Sequence, residues 1–487
     1  VYDENGIPYI PAKRIKGCIR EAALEMKELN LLDDDKYIQI FGKEGNQSSA
    51  FTISNAYIKD YDKTVAALQQ CQYKGLVSPQ NVLNQYTYTR TQTAVDLNTG
   101  VADENSLRTI RVVKKGLEFE AQCNWKDTAK KSEILGQAIS LVKHIGISRT
   151  RGLGLVSMEL DNSKQEKHVY IEEIELGEMN KINYKIQLNS SMICKSPKGT
   201  ETVTQDYIAG SKILGLIAGQ MDKNEYQDFM SKGELIISNA YIMNRDKRCI
   251  PGKVSWQKEK DQSYDSEGKM IVKDMLYNPD VTNKQMTPAN IFYIAEDKNV
   301  VSVETEISYH HQRPIDKSVG RATGDDGSAF YQLASIYKGQ TFSGFIYANK
   351  VQAEQMINAI KKIDNVRMGY GKSSEFGMID FTLGPAEIIE DTAEKTNVKE
   401  AEVRLLSDVI LYNLKGMLTT DIQVLKDYLQ NILQVQDLQV KNPFLKFETV
   451  GGFNVTWGKR KPIFNALGKG STFIICSEQG FNIELLK

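Results

Sequence analysis

The first part of the chain shows the hydrophobic period of a helix. Apolar residues recur there at spacings of three and four positions: Ile15, Ile19, Ala22, Met26 and Leu29. This spacing places the five side chains on one helical face. Pro11 precedes them, where proline is favoured at a helix start. The pattern therefore predicts a helix over roughly residues 12–29.

Beyond this helix, the pattern predicts a strand, a polar excursion, a second helix and a final strand. Apolar residues dominate 51–58, and a long polar segment occupies 72–113. The second helix spans about 128–145 and stops at a glycine, as helices commonly do. A glycine-rich loop, 146–154, then leads into a strand over 155–160.

The same elements occur twice along the chain. The hexapeptide at 53–58, Ile-Ser-Asn-Ala-Tyr-Ile, reappears at 237–242, a separation of 184 residues. The glycine loop beginning at Gly146 has a counterpart beginning at Gly369, a separation of 223 residues. Long-range self-similarity indicates two copies of one structural unit, and the unequal separations indicate loop insertions between conserved elements.

The second copy shows which element the first copy lacks. A strand is predicted over 182–193, before the helix at 208–219, whereas the first copy begins in a turn at Asp3. We therefore expect the first strand of copy one to be missing from this sequence. With it restored, both copies have the order β-α-β-β-α-β, which is the ferredoxin-like arrangement.

Three domains are predicted from this organisation. The first covers 1–180, and the second covers 181–385 with a polar insertion at 246–300. After a linker that begins at residue 386, the remaining segment, 386–487, is expected to hold a helical region over 399–434 and a final β segment.

Composition limits the classes of function. The 487 residues carry a net charge of −1, so no global field attracts nucleic acid. The cysteines are scattered and histidines are few, which argues against structural zinc and a disulfide framework. Neither a metal site nor a cofactor is predicted. No apolar run is long enough to span a bilayer and no signal peptide is recognised, so a reducing, cytoplasmic location is expected.

Several motifs occur in a fixed order along the chain. They are the N-terminal block Asp3-x-x-Gly6-x-Pro8-Tyr9-Ile10-Pro11 with its basic helix, the glycine loop of each copy, and the excursion from Arg90 to Phe119. Together these motifs resemble those of the RAMP superfamily of CRISPR-associated proteins. The resemblance covers about 1–385. Two departures stand out: Ala12-Lys13 follows Pro11 where many relatives have Gly-Ser, and Glu375 takes the place that Gly152 holds in the first loop.

The resemblance implies an α+β protein with two ferredoxin-like (RRM-like) RAMP domains and a C-terminal helical/β appendage. With the stretches Gly451-Gly-Phe-Asn454 and Gly468-x-Gly-Ser471, it is similar to the type III-D effector subunit of the class that caps the 5′ end of the guide RNA. The expected role is that of a non-catalytic RNA-binding subunit in antiviral defence. Its expected partners are guide crRNA, target RNA, backbone RAMP subunits and the large polymerase/cyclase subunit, with no membrane.

The first glycine loop is a candidate RNA site. Gly146 and Gly152 allow backbone N–H groups to approach a phosphate, and Arg149 and Arg151 add positive charge. A tight helix-to-strand turn explains the glycines equally well. The second loop carries Lys372 but also an acid, so it is closer to a simple turn.

Two further basic groups are candidates. Arg90, Arg108 and Arg111 lie on the polar excursion, where a hairpin can follow a single strand of RNA or contact another subunit. A solvated hairpin is the alternative. Lys13 and Lys16 lie at the start of the first helix, where the N–H groups also point outward.

The matching region of copy two carries a histidine pair and two arginines: His310, His311, Arg313 and Arg321. They can bind RNA, or act as an acid–base site that cleaves precursor guide RNA. A target-RNA nuclease using Asp96 or Asp103 is a further alternative. Because no third catalytic partner is evident, RNA binding without catalysis is the prediction.

Overall fold

The computed structural model describes most of the chain and divides it into two compact units. The described residues are 1–42, 49–71, 75, 77–96, 98–125, 129–161, 167–195, 203–260, 271–277, 285–296, 299–312, 329–363, 366–372, 374–389, 396–454 and 458–486. Unit 1 comprises Val1–Glu166 and Gly371–Phe376, and unit 2 comprises Lys167–Tyr370 and Gly377–Lys487. Mixed helices and sheets confirm the α+β class.

Unit 1 contains helices and short strands. They are α1 (Ala12–Glu28), α2 (Asp34–Phe41), β1 (Phe51–Ile53), β2 (Tyr57–Ile58), α3 (Tyr61–Gln70), α4 (Pro79–Tyr86), β3 (Thr87–Gln92), β4 (Arg108–Val113), β5 (Phe119–Glu120), β6 (Cys123–Trp125) and α5 (Ala129–Leu141). Antiparallel pairs form between β1 and β6, β2 and β5, and β3 and β4. The predicted apolar face of α1 is buried through Met26, whereas Leu29 lies just past the helix and is exposed.

The predicted strand over 155–160 is not formed. Only Leu155 makes an isolated bridge, to His144. Val156, Met158 and Leu160 nevertheless alternate inward and pack on the core of unit 1. The segment therefore alternates as a strand would, but a ladder needs a neighbouring strand, and none in the described part of unit 1 pairs with it.

Unit 2 is built on a larger sheet. Its elements before the insertion are β7 (Val169–Ile171), β8 (Met179–Leu188), α6 (Gly210–Ala218), α7 (Lys223–Ser231), β9 (Ile236–Ile237) and β10 (Tyr241–Asn244). After it come β18 (Thr305–Gln312), β19 (Ala329–Ile336), β20 (Thr341–Asn349), α8 (Lys350–Lys361) and β21 (Ile379–Ile388). The sheet has the order β11 (Lys247–Arg248)-β10-β20-β8-β21-β7, and β9 also pairs with β20. β8 runs antiparallel to both β20 and β21.

Period-2 burial defines the two faces of this sheet. Alternate residues of β8, from Ile182 to Leu188, are buried with Phe342 and Ile346 of β20. They share one core with α6 and α8 through Ile213 and Met356. The helices therefore cover one face of the sheet.

The polar insertion contains short strands. They are β11 (Lys247–Arg248), β12 (Ile250–Pro251), β13 (Trp256–Glu259), β14 (Lys273–Asp274), β15 (Met286–Pro288), β16 (Phe292–Tyr293) and β17 (Val300–Val301). These form two small antiparallel sheets, β12-β16-β17 and β14-β13-β15, while β11 joins the main sheet.

The C-terminal segment corrects the predicted helical region. Its elements are β22 (Asn397–Arg404), β23 (Leu411–Tyr412), β24 (Leu418–Thr419), α9 (Ile422–Leu433), β25 (Gln439–Phe444), β26 (Phe447–Val450), β27 (Phe453–Asn454), β28 (Lys459–Arg460), β29 (Phe464–Leu467) and β30 (Thr472–Asn482). Residues 397–404 form a strand because they pair along the apolar β30, and tertiary pairing overrides their helical composition. Only Ile422–Leu433 of the predicted stretch is α-helix among the described residues.

The unit boundaries differ from the predicted domains. The division falls at 166/167, not at 180/181, and residues 377–487 cluster within unit 2. The first difference arises because β7 pairs in parallel with β21 and so belongs to the second sheet. None of the helices in the described ranges has both the length and the apolar character to cross a membrane.

Candidate nucleic-acid interface

The two hexapeptides hold equivalent positions and support the helix that carries Lys13 and Lys16. Asn55 Oδ1 accepts a hydrogen bond from the Ala12 N–H (2.8 Å), and Asn239 Oδ1 accepts one from the Gly210 N–H (3.0 Å). Each asparagine therefore caps the first turn of α1 or α6, whose N–H groups lack helical partners. The repeat inferred from sequence is confirmed at the level of individual hydrogen bonds.

The two lysines at the start of α1 have different environments. Lys13 is exposed and lies 3.6 Å from the Glu375 carboxylate, which belongs to the same compact unit. Lys16 is half-buried, and its Nζ donates to Ser49 Oγ (2.9 Å) and to the Phe51 carbonyl (2.8 Å). Lys16 thus supports β1, and Lys13 is the more accessible of the two to a phosphate.

The glycines of the first loop fall into two groups. A Cβ at Gly154 would lie 1.9 Å from the Ile145 carbonyl oxygen, so the fold itself requires glycine there. Gly146 (φ +109°) and Gly152 (φ +77°) are also left-handed, but a Cβ at either would meet no atom within 4 Å. The tight turn therefore explains Gly154, while the other two leave the backbone open to a ligand.

The arginines of this loop lie beside the open glycines. Arg149 makes a two-pronged ion pair with Glu21 at 3.0 and 3.3 Å, which raises the pKa of the guanidinium. Arg151 is exposed. An exposed ion pair contributes little free energy, so a phosphate can displace Glu21 from Arg149 at small cost.

The second glycine loop repeats the frame of the first. A Cβ at Gly377 would lie 1.9 Å from the Met368 carbonyl oxygen, as at Gly154. Lys372 is exposed. Tyr370 was not among the residues predicted from the sequence. Its side chain is 49% exposed, and Lys195 Nζ lies 4.3 Å from its ring centroid. The feature of the sequence that could have indicated it is an aromatic residue within a glycine loop.

The hairpin β3–β4 presents arginines on both faces. Arg90 and Arg108 share one face with the exposed Tyr88, because Arg90 lies opposite Ile110 and Gln92 lies opposite Arg108. Arg111 lies on the other face, where its Nη1 donates to Asn84 Oδ1 (2.9 Å) and Thr87 Oγ1 (3.0 Å). The face with two arginines and a tyrosine has the composition of a single-strand contact.

The rival aspartate lies in the loop of this hairpin. Asp96 Oδ1 accepts from the Asn98 N–H at 2.8 Å, and this backbone bond lowers the pKa of the carboxyl. Asp96 is thereby engaged in the turn. Asp103 is exposed in the same loop, and its N–H donates to the Ala94 carbonyl (3.0 Å).

The β18–β19 hairpin holds the histidine pair. His310 is buried, its Nε2 lies 2.8 Å from Ser308 Oγ, and its ring stacks on Tyr331 with centroids 5.2 Å apart. The side chain of His311 lies outside the described part of the structure, as do Arg313 and Arg321. Tyr309 and Phe330 form an exposed stacked pair that sequence reasoning missed.

Metal-ligating groups do not converge in the described part of the chain. Among those residues, no three His, Cys, Asp or Glu side chains come close enough to hold an ion. The candidate side chains described above are cationic, aromatic or amide groups and open backbone, which suit phosphates and bases.

Comparison with known proteins supports the resemblance in part of the chain. The family model of the RAMP superfamily matches residues 1–157, so the predicted resemblance is confirmed over that segment. Among curated proteins, none matches the sequence.

Two solved structures illustrate the structural comparison. One is a chain of type III-B Cmr-beta bound to cognate target RNA and AMPPnP, with 15% identity, a TM-score of 0.32, and coverage of 60% of this chain and 86% of that one. The other comes from type III-B Cmr-beta bound to cognate target RNA, with a TM-score of 0.31 and the same identity and coverage.

Proposed function

We propose that this chain is a non-catalytic RNA-binding subunit of a type III CRISPR-Cas effector complex that acts in the cytoplasm in antiviral defence. It holds the 5′ part of the guide crRNA, contacts target RNA and docks neighbouring subunits, namely the backbone RAMP subunits and the large polymerase/cyclase subunit. Both repeated units are ferredoxin-like in this proposal. The order β10-β20-β8-β21 in unit 2 supports it. If β8, β10, β20 and β21 are numbered 1 to 4 along the chain, their order across the sheet is 2-3-1-4, as in a ferredoxin-like unit.

The observation that carries the proposal is the geometry of the first glycine loop. Gly146 and Gly152 hold left-handed backbone with free space around it, and Arg149 and Arg151 lie between them. The loop falls inside the segment that matches the RAMP superfamily. Open backbone with adjacent guanidinium groups suits the phosphates of RNA.

The burial of His310 supports a role without catalysis. A general acid or base must come within hydrogen-bond reach of the proton it moves. His310 is 6% exposed and is held by Ser308 and Tyr331, so it has little access to a scissile phosphate. The endoribonuclease alternative predicts cleavage of precursor guide or target RNA that is lost in His310→Ala, His311→Ala, Asp96→Ala or Asp103→Ala.

The test is the salt dependence of guide-RNA binding. Each phosphate contact on single-stranded RNA contributes about 0.7 to the slope of log affinity against log salt. Arg149→Ala with Arg151→Ala should weaken guide binding and reduce that slope by about 1.4. The matched control is Lys399→Ala with Lys415→Ala, which removes two exposed positive charges from the C-terminal segment.

Two results would contradict the proposal. One is an unchanged affinity and slope in the folded arginine double variant. The other is RNA cleavage by the purified chain, with or without added divalent metal, that one of the named histidine or aspartate substitutions abolishes.

A further inference from the structure

The central strand of the unit 2 sheet carries two aromatic side chains on the face away from the helices. In β20, Phe342 and Ile346 are buried against α6 and α8, whereas Phe345 and Tyr347 alternate with them and remain partly exposed. These two partly exposed rings have centroids 5.1 Å apart. Towards β10 the same face is covered, because Ser343 and its cross-strand partner Tyr241 are buried. The accessible part of this face therefore lies around Phe345 and Tyr347 and on the adjacent β8.

Cationic side chains surround this aromatic pair. Arg248 places its guanidinium carbon 5.0 Å from the Phe345 centroid, and Lys181 places its Nζ 5.8 Å from it. Lys185 lies opposite Ser343 on the neighbouring β8, is exposed, and makes no ion pair among the described residues. Both lysines belong to one strand and project from the same face as the rings.

Three acids lie near this surface: Glu387, Asp380 and the exposed Asp246, which lines the same cavity as Lys185. Glu387 lies 3.0 Å from Lys181. Asp380 accepts from Asn189 Nδ2 at 2.7 Å and lies 2.7 Å from His168 Nδ1. Among the described residues no acid forms an ion pair with Lys185 or Arg248. The Arg248 guanidinium donates to the Ser343 and Asn239 carbonyls (3.0 and 3.2 Å), so Lys185 is the more accessible positive charge for an anion on this face.

The combination of aromatic rings and cationic side chains indicates which kind of ligand this surface binds. Two aromatic side chains on one face of a single strand can by themselves simply pack on the sheet, and a protein partner would need a wider apolar surface around them. Nucleotides combine a flat base with a phosphate, and aromatic rings beside cations suit both groups. Tyr347 is the more available platform, because Phe345 already contacts both Arg248 and Lys181.

We infer that this face of unit 2 is a second binding surface for single-stranded RNA, on which Tyr347 stacks a base while Lys181 and Lys185 contact phosphates. Phe345 and Arg248 position the platform from its side. This surface shares no residue with the guide contacts proposed above, and it lies on the other compact unit. It can therefore bind a second segment of RNA independently of the glycine loop.

The experiment measures binding of a fluorescein-labelled eight-nucleotide oligouridylate to the full chain by anisotropy. All variants are made in the Arg149→Ala, Arg151→Ala background, so that loss of the guide site is separated from loss of this one. Base stacking predicts that Tyr347→Leu weakens binding about 5- to 150-fold. Tyr347→Phe should retain binding, as should the control Tyr428→Leu, which alters an exposed tyrosine on α9.

A second measurement distinguishes loss of the RNA contact from misfolding of a variant. An oligonucleotide containing 5-bromouridine should photocrosslink to the peptide 341–349 in the background protein. Absence of that crosslink overturns the inference, as does binding by Tyr347→Leu equal to that by Tyr347→Phe. A crosslink that Tyr347→Leu abolishes and Tyr347→Phe retains supports it, whether or not the glycine loop binds the guide.

Discussion

Gly154→Ala and Gly152→Ala should separate the structural glycine of the first loop from the glycine that leaves room for a ligand. Both positions are left-handed, at φ +72° and +77°. An alanine Cβ at 154 would lie 1.9 Å from the Ile145 carbonyl oxygen, whereas one at 152 would meet no atom within 4 Å. The two substitutions therefore impose the same backbone strain but differ in steric overlap.

The expected losses of stability follow from the backbone strain and the steric overlap. Left-handed backbone costs an alanine about 1–2 kcal/mol, and forcing atoms into a packed site adds about 1–3 kcal/mol. The overlap at 154 cannot be relieved by simple separation, because the Ile145 N–H donates to the Gly154 carbonyl at 2.8 Å. Gly154→Ala should thus lower the free energy of unfolding by about 2–5 kcal/mol, and Gly152→Ala by about 1–2 kcal/mol.

The assay is equilibrium urea denaturation, followed by circular dichroism and by tryptophan fluorescence. A chain with two compact units need not unfold in one step, so coincidence of the two probes is checked before free energies are compared. Guide-RNA affinity is measured on the same samples. Gly152→Ala should weaken RNA binding out of proportion to its small loss of stability.

Equal destabilisation by the two substitutions would refute this reasoning, because it would mean that the close approach at Gly154 has no energetic consequence. Gly377→Ala provides an internal repeat of the experiment, since its Cβ would lie 1.9 Å from the Met368 carbonyl oxygen. It should behave like Gly154→Ala.

Three further outcomes are expected. Asn55→Ala and Asn239→Ala should each lower the free energy of unfolding by about 1–2 kcal/mol, since each removes a helix cap, and similar values in denaturant titrations would reflect the equivalence of the repeats. Lys469→Met should destabilise the chain by about 1–3 kcal/mol by removing its ion pair with Asp206 (2.9 Å) and its ring contacts; a neutral result in the same titration would count against their importance. Stability should fall as pH rises above about 10, by about 1.4 kcal/mol per pH unit for each tyrosine that stays protonated only when folded. Burial lowers the pKa of Arg367 to about 10, which acts in the opposite direction and offsets one tyrosine. Absorbance at 295 nm should therefore show late tyrosine ionisation that coincides with unfolding, because burial raises the pKa of several side chains, among them Tyr61, Tyr184, Tyr207 and Tyr241.

Local patterns in the sequence were sufficient to predict the repeat and the main helices and to select the candidate site residues. The buried face of α1 follows from a spacing of three and four, and the alternation at 156, 158 and 160 follows from a period of two. Glycines after a helix also mark both loops correctly. These features depend on interactions between residues close in sequence, so periodicity and turn chemistry encode them.

Only the tertiary structure decided which elements pair and which charged groups remain accessible. Residues 397–404 have a helical composition but form a strand beside β30, and 155–160 alternate correctly yet have no ladder. Lys16 turns inward to Ser49, and Gly154 differs from Gly152 only because the Ile145 carbonyl lies against it. Strand pairing, burial and close approach join residues distant in the chain, and no local pattern specifies them.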